Sequence, residues 1–347
     1  MGTVSYCRKL APLTAAACLL LAALPSAAAD PGAPFKDKSM RFITMGSPGG
    51  GYDAYMRTIL EFIEKKTGAR MLPVNENAAG GLVAMNRLLT APPDGTTILL
   101  TSGEGTALGQ LLGNPGVRYD VRKLVWLARV SGPPKVVLVS ASSPYKSFAE
   151  VVKSDRAFVW GGTGKTDGNS DYQALLADTI GFKTKIIHGY KGSGGMNLAI
   201  EQGEIDARII TDESGFRATR SGKIKALVTL ARERSTKFPD VPTVFEQVSM
   251  TPAQQKWLDW RAGVTALGRV ILTTPGTPQD RVDYLRSALK DALNSAAYIA
   301  QAKKRRLEPG YLDGAVVQNM VMKTMSTLDD KELAEVKHVV LKKYYTQ

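Results

Sequence analysis

The chain has 347 residues, with 45 Lys+Arg against 32 Asp+Glu, a formal net charge of +13, 44% hydrophobic residues and 33 glycines. This balance excludes wholesale disorder and collagen-like repeats, and the length suits about two domains of ~150 residues. The two cysteines, Cys7 and Cys18, are too few for a disulfide framework or a four-ligand zinc site.

Arg8 and Lys9 precede an uncharged run from Leu10 to Leu24, and Ala27-Ala28-Ala29 follows. A positive start, an apolar run and small residues at a cleavage point predict a secretory signal peptide over residues 1–29. The run is shorter than the ~20 residues that a membrane-spanning helix needs. Both cysteines fall inside this segment, so the exported chain carries none, which suits an oxidising compartment. The expected location is the periplasm. The mature chain stays strongly basic, which favours small anions or an acidic partner over nucleic acid outside the cytoplasm. The Lys303-Lys304-Arg305-Arg306 run reads as a solvated surface.

The mature chain alternates strand and helix patterns. A strand is predicted over 41–45, followed by the loop Gly46-Ser47-Pro48-Gly49-Gly50-Gly51 and a helix from about Asp53. Met56, Ile59, Leu60 and Ile63 give that helix one apolar face, and Gly68 is placed to end it. A strand over 71–74 leads into the loop 75–81 and a helix ending at Pro92-Pro93; a strand over 96–101 then enters Ser102-Gly103 and a third helix. Three strand–glycine loop–helix units in succession predict a parallel sheet with crossover helices.

Apolar segments at 125–130 and 136–139 precede a second α/β region. Ser147 to Glu150 is a capping-box pattern, 158–160 a strand running into Gly161 to Thr166, and 185–188 another running into Gly189 to Gly195. Strands are predicted over 206–211 and 225–230. After Thr251-Pro252 the pattern is helical, at 279–292, 296–304, 315–325 and 331–341, apart from a strand over 270–273. Two α/β lobes follow, the first from 30–130 plus 251–347 and the second from 131–250.

Glycine loops between a strand's carboxyl end and a helix's amino end expose unsatisfied N–H groups where the helix dipole favours negative charge. Three in equivalent positions point to an anion site at those strand ends. Asp53 either caps its helix or meets the ligand, with Arg57 one turn on as a partner. Gly49 to Ala54, with Glu76 beyond, fits a dinucleotide fingerprint weakly, and an exported chain meets little NAD. Val159 occupies the first glycine position of a P-loop ending at Gly164-Lys165-Thr166, which removes that reading. With His188 and His338 as the whole histidine complement, and no G-x-S-x-G or H-E-x-x-H, the chain reads as no enzyme, with no metal and no cofactor.

Pro48-Gly49-Gly50-Gly51-Tyr52-Asp53 with Arg57, Asn75 through Gly81, Ala91 through Thr97, Gly189 through Ser193 and Ala199 through Asp206 occur in the order of one family's motifs. On these residues the chain resembles the extracytoplasmic receptors of tripartite tricarboxylate transporters, also called Bug solute receptors. The resemblance implies an α/β type II periplasmic-binding (Venus flytrap) fold of two Rossmann-like lobes on a hinge. It also implies a monomer that captures a small carboxylate in the cleft and delivers it to membrane permease subunits. By position, Ser47, Gly49, Gly50 and Asp53 belong to the first binding loop and Ala78, Ala79 and Gly80 to the second, with Thr101, Ser102 and Gly103 beside them. Thr163, Thr166, Asp167, Tyr190 and Asp206 would face them from the second lobe. Asn77 and Ala78 replace the family's proline and glycine, and Asp167 would repel a distal carboxylate. Two other readings remain at this stage, an exported nucleotide-using enzyme and a ligand-sensing module for a signalling kinase.

Overall fold

The computed structural model describes residues 1–2, 34–164 and 168–344. Apart from its first two residues, the segment 1–29 expected to be a signal peptide lies outside the described residues, as do Lys165, Thr166 and Asp167. The first run holds β1 (Ser39–Thr44), α1 (Gly51–Thr67), β2 (Arg70–Asn75), α2 (Leu82–Thr90), β3 (Thr97–Ser102), α3 (Gly103–Leu111) and β4 (Val125–Ser131). The second holds β5 (Lys135–Ser140), α4 (Phe148–Lys153), β6 (Phe158–Gly161), α5 (Ser170–Ile180), β7 (Thr184–Ile187), α6 (Gly192–Gln202), β8 (Ala207–Thr211), α7 (Asp212–Ala218) and β9 (Ile224–Thr229). The last holds α8 (Val244–Gln247), α9 (Pro252–Ala266), β10 (Arg269–Thr273), α10 (Gln279–Asn294), α11 (Ala296–Lys304), β11 (Leu312–Asp313), α12 (Gly314–Ser326) and α13 (Asp330–His338).

The strands form two sheets, in the orders β11-β4-β10-β3-β1-β2 and β7-β6-β8-β5-β9. The predicted parallel pairing holds for β1 with β2 and β3, and for β6 with β7 and β8. Both sheets are nonetheless mixed. β10 runs antiparallel to β3 and β4, and β5 antiparallel to β8 and β9. The cause is topological: each of these strands enters its sheet from the other lobe, so it starts where its neighbours end. Arg269 thus lies opposite Ser102 and Ser131, and Lys135 opposite Thr211.

Each sheet is buried on both faces, as side-chain alternation along a strand allows. On β1, Phe42 joins Ile59, Leu289 and Tyr298 on one face, while Ile43 joins Met85, Leu99 and Val321 on the other. On β5, Val137 packs with Trp160, Leu176 and Ile209, and Val136 with Met196 and Ile200. Each fully buried side chain of this size contributes roughly 1.5–3 kcal/mol. The predicted stripe of α1 forms as expected, with Met56, Ile59 and Ile63 buried and Leu60 partly so. Gly68 ends the helix at φ 65°, its N–H bonded to the Glu64 carbonyl.

The lobe boundaries differ from expectation at the C-terminal end. Residues 251–347 do not all join the first lobe. α9 packs on both α3 and α5, and the segment after α13 packs on α5, with Tyr344 Oη 3.3 Å from Asp178 Oδ1. Val336, Val339 and Val340 belong to the second lobe's core, and that apolar face decides where the segment sits. The chain therefore passes between lobes at 132–134, again around α9, and a third time after α12. Among the described residues no helix is long and apolar enough to cross a membrane.

Candidate functional site

The carboxyl ends of β1, β2 and β3 bring the first-lobe loops together. Gly50, extended at φ −77° and ψ 173°, stands at the N-cap of α1 and Asp53 does not. The expected choice for Asp53 between cap and ligand contact is therefore replaced by a third role. Its Oδ2 accepts the Gly49 N–H at 2.9 Å, its Oδ1 accepts Asn75 Nδ2 at 3.0 Å, and Arg57 Nε donates to both oxygens at 3.0 Å. Asn75 also donates to the Gly46 carbonyl at 2.8 Å, so this buried carboxylate ties the first loop to the second. Burial acts to raise its pKa, but the Gly49, Asn75 and Arg57 bonds outweigh that and hold it below the ordinary aspartate value.

Several amides expected to hold a ligand are occupied inside the protein. Gly49 donates to Asp53, Gly50 to the Ser47 carbonyl at 2.9 Å, and Gly103 to the Gly268 carbonyl at 2.8 Å. An N–H so bonded has no proton left for a ligand. Ser47 Oγ accepts Asn77 Nδ2 at 2.6 Å, which leaves its hydroxyl proton to donate elsewhere. Ser102 Oγ accepts the Gly105 N–H at 2.9 Å and caps α3. Thr101 Oγ1 lies 3.4 Å from Met45 Sδ.

The second loop has an unusual backbone. Ala79 (φ 49°, ψ 41°), Gly80 (φ 64°, ψ 25°) and Gly81 (φ 92°, ψ 0°) are left-handed in succession. Ala78–Gly81 form a single 3-10 turn, and the Leu82 N–H that follows donates to the Ala79 carbonyl. For alanine the conformation costs about 1–2 kcal/mol, a strain of the kind that persists at ligand sites. Gly81 is fixed by space as well, because an added Cβ would stand 2.6 Å from Met45 Cβ.

A cavity of 510 Å³ opens on this loop. Ala79, Gly80, Gly81, Thr101 and Ser102 line one end, and Met45, Met85, Leu108, Leu112 and Tyr119 its walls, with Gly168 reaching in from the second lobe and Leu341 from the C-terminal segment. Of the sequence-predicted residues, this brings together Ala79, Gly80, Thr101 and Ser102. Ser47, Gly49, Gly50, Asp53 and Ala78 build the adjoining loops, and Gly103 anchors α3.

The second-lobe expectations fare differently. Thr163 is exposed just beyond the carboxyl end of β6. Tyr190 Oη donates to Glu204 Oε1 at 2.5 Å within that lobe, and its hydroxyl is pushed up to about 12, burial first and Glu204 next. Asp206 is a correction. It sits at the amino end of β8, the end away from the cleft, with Oδ1 on Arg156 Nη2 at 2.7 Å and Oδ2 on the Val159 N–H at 2.8 Å. Its carboxylate locks β8 to β6. Glu76, the acid of the nucleotide-like pattern, is likewise engaged by Arg87 and Arg41.

What sequence reasoning missed is a group of charges between the lobes. Glu104, in the first turn of α3, accepts Lys135 Nζ at 2.8 Å and Arg261 Nη2 at 2.7 Å. Arg261, 1% exposed, also binds Asp171 through Nε at 2.9 Å and lies over the Tyr172 ring at 4.3 Å. Lys135 further donates to Asn169 Oδ1 at 3.1 Å and to the Gly168 carbonyl. Burial acts to raise the Glu104 carboxyl, yet Lys135 and Arg261 outweigh it and hold it below the usual glutamate value. At Asp171 burial prevails and the carboxyl is raised despite Arg261. A second interlobe pair joins Arg269 to Glu213 at 3.4 Å, with the guanidinium 4.8 Å above the Tyr55 ring. One signal for Arg261 was present, a charge set among the apolar positions Leu258, Trp260 and Val264 of α9. Among the described residues no group of His, Cys, Asp and Glu is arranged to hold a metal.

Comparison with known proteins agrees with this geometry. The profile described as "Tripartite tricarboxylate transporter family receptor" matches residues 55–331. A UPF0065 protein of Bordetella pertussis is 29% identical over 298 residues, covering 84% of this chain and 86% of that protein. A TctC solute binding protein from Polaromonas has the same fold at a TM-score of 0.70 and 19% identity, over 87% of this chain and 98% of that one. MatC from Rhodopseudomonas palustris, solved with bound malate, follows at a TM-score of 0.61 and 23% identity, over 87% and 99% of the two chains. With its profile matched over most of its length, the chain belongs to the tripartite tricarboxylate transporter receptor family.

Proposed function

We propose that this solute-binding receptor captures a small carboxylate in the 510 Å³ cavity and hands it to membrane permease subunits. The observation that carries the reading is the place of this cavity, at the carboxyl end of β3 beside the Ser102-capped start of α3 and lined there by Ala79, Gly80, Gly81, Thr101 and Ser102. A carboxylate seated there would gain charge-assisted bonds from backbone donors and a favourable helix dipole. The malate bound by MatC supports the ligand class. Family membership makes the chain a receptor and not an enzyme, and the engagement of Glu76 by Arg87 removes the acid on which a nucleotide reading leaned. The leader over 1–29 supports export to the periplasm, and a monomer is the expected form.

A ligand that binds the folded state raises its melting temperature by mass action. Protein refolded from denaturant, and so freed of ligand, should be stabilised by at least one class of carboxylic acid and not by the corresponding amides. Melting curves unmoved by every acid, with the refolded protein native by circular dichroism, would remove this reading.

A further inference from the structure

We infer that the ligand is a monocarboxylate with an uncharged, apolar tail, not a di- or tricarboxylate. This rests on the reading of the cavity as the carboxylate site. Among the described residues none that lines the cavity is charged. Beyond Thr101 and Ser102 its walls are mainly the apolar Met45, Met85, Leu108, Leu112, Tyr119 and Leu341, with Thr106 and Asn114 as uncharged polar exceptions. Tyr119 presents its ring, because its hydroxyl is bonded to the Thr106 carbonyl at 3.0 Å. The volume lies within the ~300–1,000 Å³ usual for small-molecule sites, so a tail of several carbons can be enclosed.

A second carboxylate would need donors of its own among these walls, and among the described residues the buried cations Lys135 and Arg261 are already taken. Lys135 and Arg261 stand behind Gly168 and Glu104, each bonded to Glu104, and Arg261 to Asp171 as well. The protein's own acids thus fill the positions that a ligand's distal group could claim, and burying an unpaired charge among leucines and methionines is heavily disfavoured. Outside the lining, Lys337 Nζ stands at the far rim, 3.9 Å from where a side chain on Gly113 would begin. That segment is partly open to solvent, where screening leaves little attraction.

The test is calorimetry with matched acids on ligand-stripped full-length protein. Across butanoate, hexanoate and octanoate, affinity should rise roughly fourfold per added methylene until the cavity is full. Adipate should bind at least tenfold more weakly than hexanoate. Lys337→Ala should leave hexanoate binding unchanged. Adipate binding as tightly as hexanoate, or more tightly, overturns the inference but leaves the carboxylate receptor standing; a loss of that binding in Lys337→Ala would locate the distal group at the rim. If neither hexanoate nor adipate binds, this inference falls, and the carboxylate reading falls with it only if no other acid moves the melting curve.

Discussion

Two regions of α3 lie one residue apart and use opposite chemistry. Glu104 enters a buried knot of four charges between the lobes, while Gly105 and Leu108 of the same helix line a cavity whose described walls carry no charge. The strong, costly interactions are spent on holding the halves together. In the proposed reading, recognition is left to polar groups at one end of the cavity and to apolar surface beyond. The division makes physical sense, since a buried ion set stabilises only when every member is paired, whereas a site that must empty and refill would leave a charge stranded at each cycle.

The contrast can be broken from either side, beginning with the charges. Arg261→Ala should lower stability by about 3–5 kcal/mol, because Glu104 and Asp171 lose their shared partner. Chemical denaturation would measure it, and a loss under about 1 kcal/mol would mean that Glu104 and Asp171 do not depend on Arg261. On the recognition side, Gly81→Ala should cost about 2–3 kcal/mol and remove ligand binding, since the new Cβ meets Met45 and the left-handed backbone opposes it. Intact binding in that variant would show that the second loop is not the cradle.

Glu104→Gln sharpens the comparison through pH. Its folded-state pKa lies below the unfolded value, so the carboxylate's contribution is present above the unfolded glutamate range and is lost as pH falls through the depressed value. The variant should be less stable than the parent by about 2 kcal/mol at neutral pH, and the gap in melting temperature should close on acidification. A gap that stays constant down to acid pH would assign the effect to packing. The smallest expected change is Asp206→Asn, which weakens the Arg156 pair and costs about 1 kcal/mol. Ligand affinity should not move; a tenfold loss would return Asp206 to the binding site.

The repeating units were legible because glycine punctuation and apolar spacing agree with each other along the first seventy mature residues. Gly68 and the Met56–Ile63 stripe behave as their spacing says. Less was legible wherever the answer depended on which donor is already spent. Gly49, Gly50 and Gly103 look like free amides in a glycine loop, and only the folded chain shows Asp53, Ser47 and Gly268 receiving them. Asp206 fits a family motif, but the direction of β8 decides which end of the sheet it occupies. Lys135 and Arg261 come from segments more than a hundred residues apart, and no local pattern joins them.

The third passage between lobes has a mechanical consequence. A body joined to its neighbour by one strand can swivel, and each further attachment removes part of that freedom. The late segment that makes this third attachment also contributes Leu341 to the cavity wall. Leu341 also packs against the second lobe's core, so a change at this one side chain would alter the cavity wall and the third attachment together.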